Sequence, residues 1–492
     1  MNKKFIPVRK VLAVALVFLL AFGICGCNAE DIQSQIQKAY KNQSETAESK
    51  KEVSDEKKSS ENIDDSDTTD FSVSKTENGK TNLSAGGSSS NKKSNTKSNN
   101  KSKSSLVSSS ATNVSSYDNQ KETIEVEELE DLHNMIVPQD PEPDVKEDFK
   151  PIVDNKFSKG NGTQTNPYII STAEELVYFS KKVNSGEMDN GVCVALGANI
   201  DMTGVKFSPI GNSSYRFSSN FDGRGFTVSN ITPELIYEDY GNNANYHCGF
   251  FGFVKNAKIK NLRLENVNIK YTYESYYFTE IGILAACVYP TSECEITDCY
   301  VNGTINAQID TLVTGGIVGD IFVTNGAKLK MERLQSNTKM QLRSDTVNAG
   351  AVSGTLLVRG EESFSDIFAQ SEIIQVTRYG SYIGAFGGVS NTSGNINVSN
   401  CFFKINTNKK NNDYVHPLIG GIIDSHQPTG KYNFKNVFGV ADGCDKLYQI
   451  TPETLVKEEN CAFTDVLPSG CNFDSKIWDI SDPAAPFIKF GF

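Results

Sequence analysis

Four histidines, His133, His247, His416 and His426, stand in a chain of 492 residues, and no two have the His-Glu-x-x-His spacing that puts a pair of imidazoles and a general base on one helix face. A zinc-peptidase site of that kind is unsupported, and no Gly-x-Ser-x-Gly elbow or phosphate-binding loop occurs. The chemistry left open is glycan cleavage by carboxylates or by Arg and Lys, for which Asp298, Asp320 and Asp366 with Arg333 or Arg343 could line an outer groove. Asp298 and Asp366, however, recur in one column with asparagines, where a short polar side chain turns the chain and hydrogen-bonds the backbone. The chain therefore reads as a non-enzyme, with no catalytic residue, no metal ligand set and no cofactor.

For binding, the richest segment is residues 271–278, in which Tyr271, Tyr273, Tyr276 and Tyr277 crowd together, preceded by Tyr237, Tyr240 and Tyr246. Rings with polar tips suit sugar stacking and protein contact alike. The same alternation also fits a plain strand with tyrosines on both faces.

What positions these side chains is a repeat. A glycine, two apolar residues and a small or turn-forming residue recur from Gly249, Gly282, Gly316, Gly350, Gly384 and Gly421, at steps of 33, 34, 34, 34 and 37 residues. A second column in the same frame holds Asn261, Asp298, Arg333, Asp366, Asn400 and Asn436. It is flanked by apolar residues two positions before (Ile259, Ile296, Met331, Phe364, Val398, Phe434) and one after (Leu262, Cys299, Leu334, Ile367, Cys401, Val437). Apolar runs this short, and this rich in Gly and Asn, are strands rather than helices. Stacking one coil per repeat buries each apolar column in a core that no single repeat could form. The prediction is an all-β, right-handed parallel β-helix of about six coils, roughly 29 Å long from the strand spacing.

The N-terminal residues indicate export. Lys3, Lys4, Arg9 and Lys10 precede an apolar stretch over residues 11–22, too short to span a bilayer comfortably, followed by Ile24-Cys25-Gly26-Cys27. That ending resembles the lipobox of bacterial lipoproteins. The resemblance implies a signal peptide over residues 1–26, lipidation of Cys27, and a protein held on the extracellular face of a bacterial membrane by its lipid. The alternatives are a plain signal peptide cut nearby or an uncleaved anchor. Residues 27–153 are Ser, Lys, Asn and acidic residues with few large apolar ones, a composition that cannot offset its ordering entropy. They are read as a disordered tether, with a typical reach of roughly 60 Å and a transient helix at residues 123–136. The net charge of −12 and the lack of a basic stripe argue against nucleic acid as a partner.

Between tether and repeats, residues 154–248 form an N-terminal cap and the first β segments. Thr172-Ala173-Glu174-Glu175 has capping-box spacing, Leu176, Phe179 and Val183 line one helix face, and Asn184-Ser185-Gly186 stops it. Such a helix suits the open end of a solenoid. Pro167-Tyr168-Ile169-Ile170, Leu196-Gly197-Ala198-Asn199-Ile200-Asp201, Pro209-Ile210-Gly211 and Phe217-Ser218-Ser219-Asn220-Phe221-Asp222-Gly223-Arg224-Gly225 follow in order. This ordered series, with the repeats after it, resembles the bacterial surface proteins that carry GLUG motifs, from Phe157 to the C-terminus. Ser219 and Phe207 depart from the family's usual Gly and Trp, and Arg333 and Ser353 stand where Asn/Asp and Gly are usual, which predicts less regular middle coils. Residues 249–440 are the GLUG-like repeats and residues 441–492 a C-terminal cap.

Nine cysteines remain besides Cys27 once the signal is removed. Cys299 and Cys401 fall in the buried column as small apolar residues. Pairing of Cys444, Cys461 and Cys471 is undetermined. The functional expectation is a lipid-anchored surface protein whose β-helix binds a glycan or a cell-surface protein. The alternatives are a polysaccharide lyase or glycoside hydrolase on the same scaffold, and a structural subunit of a surface assembly.

Overall fold

The structure, a computed structural model, describes residues 148–149, 157–188, 190–239, 244–272, 278–408, 414–422, 429–441, 444, 447–448 and 455–490. All lie within one compact unit. The signal, Cys27, the tether apart from residues 148–149, and Tyr273, Tyr276 and Tyr277 fall outside the described residues.

The repeats form a parallel β-helix of six coils. Each coil contributes a strand to a six-stranded parallel sheet (Phe251–Val254, Ala285–Val288, Val318–Val323, Ser353–Val358, Gly387–Thr392, Ile419–Ile422) and longer strands to a second, 19-stranded sheet. The register reproduces the predicted apolar columns: Ile259, Ile296, Met331, Phe364, Val398 and Phe434 stand in line, and all are buried. Between them every member of the polar column has left-handed backbone: φ is 54° at Asn261, 55° at Asp298, 52° at Arg333, 54° at Asp366, 54° at Asn400 and 52° at Asn436. That single αL residue bends the strand at each coil, a conformation Asn and Asp adopt readily. The column side chains bond along the stack rather than back to the backbone as predicted: Asn261 Nδ2 donates to Asp222 Oδ1 (2.9 Å), Asn436 to Asn400 (2.9 Å) and Asn460 to Asn436 (2.8 Å). A carboxamide can donate and accept at once, so it can continue such a ladder.

The glycine motif needs one correction. The stacked column at the sharp corner is Gly282, Gly315, Gly350, Gly384 and His416, not Gly316 and Gly421 as the spacing suggested. Gly421 instead pairs with Val389 in the smaller sheet. Glycine doublets at 315–316 and 420–421 make two frames equally legible in the sequence. The corner itself demands glycine: a Cβ on Gly315 would lie 1.8 Å from Val318 O, and one on Gly350 2.1 Å from Ser353 O. Four residues on, a Cβ at Gly319 would lie 2.8 Å from Ile281 N, so the two arms of each corner meet backbone to backbone.

The middle coils carry the longest continuous strand pairing, against the expectation of irregularity. Lys328–Gly350 and Glu361–Gly384 pair over their length with one shift, between Ser344 and Thr346. Arg333 tolerates its αL backbone because its guanidinium grips the aspartate one coil below, and Ser353 is buried, its hydroxyl donating to Gly319 O and Thr355 O.

Helix α1 (Ala173–Asn184) closes the first coil. Thr172 Oγ1 accepts from Glu175 N at 3.2 Å, and the Glu175 carboxylate accepts from Ser171 N at 2.6 Å, one residue earlier than in a standard capping box. Leu176, Phe179 and Val183 are buried, and Phe179 meets Phe217 and Phe221 at 6.1 Å each. At the other end Val456–Glu459 adds to the last coil beside Lys431–Ala441. The chain after it then packs on the outer flank, where Trp478, Phe473, Leu467 and Ile488 bury the outward rings of Phe368, Phe402 and Phe438.

Candidate functional site

The residues singled out for catalysis do not converge. Asp298, Arg333 and Asp366 share the αL column, Asp320 lies in the smaller sheet, and Arg343 stands far along the strand Lys328–Gly350. Arg333 donates to Asp298 and pairs with Glu332, while Asp366 Oδ1 accepts from Trp478 Nε1 at 3.0 Å. These contacts fix turns and dock the tail. Of the tyrosines, Tyr271 is half-buried and gives its hydroxyl to the Pro233 carbonyl; burial, then the neighbouring Cys248, push its pKa up. A ring so committed offers little to a ligand.

An open cleft of about 350 Å³ lies where the helix cap meets the first coil. Its lining includes Ser213, Ser214, Ser218 and Ser219, with Asn190, Tyr215, Arg216 and Lys255. The geometry follows from the segment after the Pro209-Ile210-Gly211 turn. Asn184 at the end of α1 accepts from Gly211 N (2.7 Å) and donates to Pro209 O (2.8 Å), which clamps this turn to the helix. Asn212 Oδ1 then accepts from Tyr215 N at 2.7 Å, closing a tight loop that lifts Tyr215 out, 49% exposed. Its ring lies on Gly186, where a Cβ would stand 2.3 Å from Tyr215 Cε1 and where φ is +73°. Only glycine leaves room for the ring and accepts that backbone.

Arg216, next in the chain, also lines the cleft. Its guanidinium stacks 4.9 Å from the Tyr289 ring and 5.8 Å from Phe253, and its buried Nε has no hydrogen-bond partner. Tyr289 lies face to face with Phe322, one coil on, at 4.9 Å and 6° between planes, and Arg359 covers Phe322 at 5.4 Å. The smaller sheet thus carries a flat strip of Arg216, Tyr289, Phe322 and Arg359 running out of the cleft. Among the described lining residues the charges are Arg216 and Lys255, with no carboxylate beside them. Hydroxyls, a flat ring and two cations suit a polyhydroxylated ligand that carries negative charge. Sequence reading missed this site: Tyr215 and Arg216 lie between two recognised turns, and only the fold brings Lys255 and Tyr289 to them.

A second polar cluster lies in the seam between the corner arms. His247 Nδ1 is 2.9 Å from Glu280 Oε2, and Cys287 and Asp320 approach the same carboxylate. Burial, then the charge of Glu280, push the Asp320 carboxyl well above its ordinary range. No disulfide joins any of the nine cysteines of the folded part, Cys461 and Cys471 included. Burial pushes the Cys294 and Cys299 thiols up to about 12, consistent with inert packing residues.

No helix among the described residues is long and apolar enough to cross a membrane, which leaves β-barrel crossing unaddressed. No protein-family model matches the chain, so the GLUG resemblance rests on its ordered motifs alone. A stretch of 110 residues, 22% of this chain, is 33% identical to a protein provisionally named as a Gly-rich membrane protein of Evansella cellulosilytica, of which it spans 12%. A solved structure from Bacteroides ovatus, provisionally described as an immunoglobulin A1 protease, overlays with a TM-score of 0.49 at 18% identity, covering 68% of this chain and 96% of that one.

Proposed function

We propose that the protein is a lipid-anchored bacterial surface protein whose β-helix binds an acidic glycan in the cleft of Tyr215, Arg216 and Lys255. One observation carries the reading: a guanidinium held by aromatic rings and a lysine ammonium are the charged groups among the described lining residues of a hydroxyl-lined cleft. A ligand carboxylate or sulfate would pair with the terminal nitrogens of that guanidinium through charge-assisted hydrogen bonds. Export and anchoring rest on the residues before Cys27, and membership of the GLUG-motif proteins rests on the motif series. The identity of the sugar follows from charge rather than from shape, so uronate-bearing polymers are favoured over neutral ones. Binding rather than cleavage is the activity proposed, supported by the cationic character of the described lining residues Arg216 and Lys255.

The test is a panel of acidic and neutral polysaccharides offered to the purified protein, with product analysis on every ligand that binds. Saturable binding of acidic members, weakened by salt and unaccompanied by new chain ends, supports the proposal. Turnover of a bound polymer would replace it with an enzymatic one.

A further inference from the structure

The arms of each corner press together through glycine, and at one level side chains come between them. Glu280 lies two residues before Gly282, so its side chain points the same way, into the seam. There it meets Cys287 of the opposite arm and Asp320 of the next coil, the register neighbour of Cys287. One donor atom from each of the three lies within 4.8 Å of the others. His247, the register neighbour of Glu280 one coil earlier, sets Nδ1 2.9 Å from its Oε2. His247, Glu280 and Cys287 are buried, with 1%, 7% and 4% of their surface exposed. Asp320 Oδ1 is sealed from solvent and has no hydrogen-bond partner. A buried carboxyl oxygen is paired, coordinates a cation or is kept neutral by a proton, and a cation can take the place of that proton.

We propose that this seam is a binding site for one zinc-class divalent cation, held by Glu280, Cys287 and Asp320, with His247 hydrogen-bonding Glu280 to orient it. The donor set decides the class. A thiolate with two carboxylate oxygens is a borderline-soft set suited to four-coordinate zinc, whereas calcium takes six or more oxygens. Zinc–ligand bonds of about 2.0–2.3 Å put neighbouring tetrahedral donors roughly 3.5 Å apart. The three atoms need draw in by about 1 Å, within reach of side-chain torsions alone. Two carboxylates and a thiolate set three negative charges against the two of the cation, and His247 Nδ1 lies 2.9 Å from one of the carboxylates. Binding would release the thiol proton and the carboxyl proton of Asp320 to solvent and fasten two successive coils directly at their corner, with a third reached through His247.

Protein stripped with a chelator and titrated with zinc should bind one equivalent at this site and melt at a higher temperature. Cobalt(II) in its place should give a thiolate charge-transfer band that Cys287→Ser abolishes although eight other thiols remain. Asp320→Asn keeps the shape of an uncharged side chain, so the stripped variant should fold and melt like the parent while its zinc affinity falls about a hundredfold. Failure of the parent to bind stoichiometric metal would overturn the proposal. So would a cobalt band or zinc affinity unchanged by Cys287→Ser and Asp320→Asn.

Discussion

Arg333 donates from Nε and Nη2 to the two carboxylate oxygens of Asp298, at 2.6 and 2.7 Å, across one coil of the helix. It is the one arginine in a column of asparagines and aspartates that all share left-handed backbone. The ion pair explains how a residue with little αL preference holds the place: the ladder bond that Asn makes elsewhere is made here by a bidentate fork. Asp298 in turn holds the Arg333 pKa up.

Replacing that arginine separates backbone from contact. Arg333→Ala loses the fork and keeps an αL position that alanine resists, so stability should fall by about 2 kcal/mol. Arg333→Asn restores an αL-tolerant side chain able to donate to Asp298, and should cost less than half as much. Denaturant unfolding of both variants checks the order. Equal losses would mean that the charge alone matters.

The corner glycines give a sharper contrast. Gly350→Ala places a methyl 2.1 Å from Ser353 O and 2.7 Å from Gly384 O, where backbone on both sides must move. A loss of several kcal/mol or failure to fold is expected. Gly326→Ala, with φ +79° but nothing within 4 Å, should cost only about 1 kcal/mol for its backbone. Thermal melts of the pair give the comparison.

Glu362 makes stability depend on pH. Its side chain is fully buried between the coil positions of Leu329 and Ile396, neither carboxyl oxygen has a partner, and burial holds its pKa well above the ordinary value. Below about pH 4.3 the group is protonated both folded and unfolded. As pH rises past that value the unfolded chain releases the proton first, so stability falls until the folded-state pKa is passed. Glu362→Leu should raise stability at neutral pH by a margin that shrinks toward pH 4. Unfolding free energies of parent and variant measured across pH 4–8 give the difference directly.

The tail is docked by Trp478, whose indole donates to Asp366 at 3.0 Å within a small apolar cluster. Burial raises the Asp366 pKa, and the Trp478 bond is the largest influence lowering it. Trp478→Phe should cost about 1–3 kcal/mol and raise the Asp366 pKa further, as seen by carboxyl-resolved NMR titration.

Much of this fold was legible in the residues. The apolar columns at Ile259 through Phe434 and the polar column at Asn261 through Asn436 stand in the observed register, because stacking places like on like. The helix of Leu176, Phe179 and Val183 formed where its cap and stripe predicted. The glycine frame slipped at doublets, since period alone cannot choose between adjacent glycines. The tail was read as an end cap, and its final part packs on the flank because Phe368, Phe402 and Phe438 point outward in the middle of apolar runs. The cleft was invisible: Tyr215, Arg216, Lys255 and Tyr289 span more than seventy residues, and no local pattern links them.

The central claim is that Arg216 anchors an acidic glycan. Calorimetric titration of a uronate-rich polysaccharide into the parent, Arg216→Gln and Lys339→Gln proteins tests it most directly, Lys339 being an exposed lysine of the long strand Lys328–Gly350. Saturable binding weakened about tenfold or more by Arg216→Gln, equivalent to about 1.4 kcal/mol, and unaltered by Lys339→Gln is the predicted result. Equal affinity in all three proteins, or no binding by the parent, would contradict it.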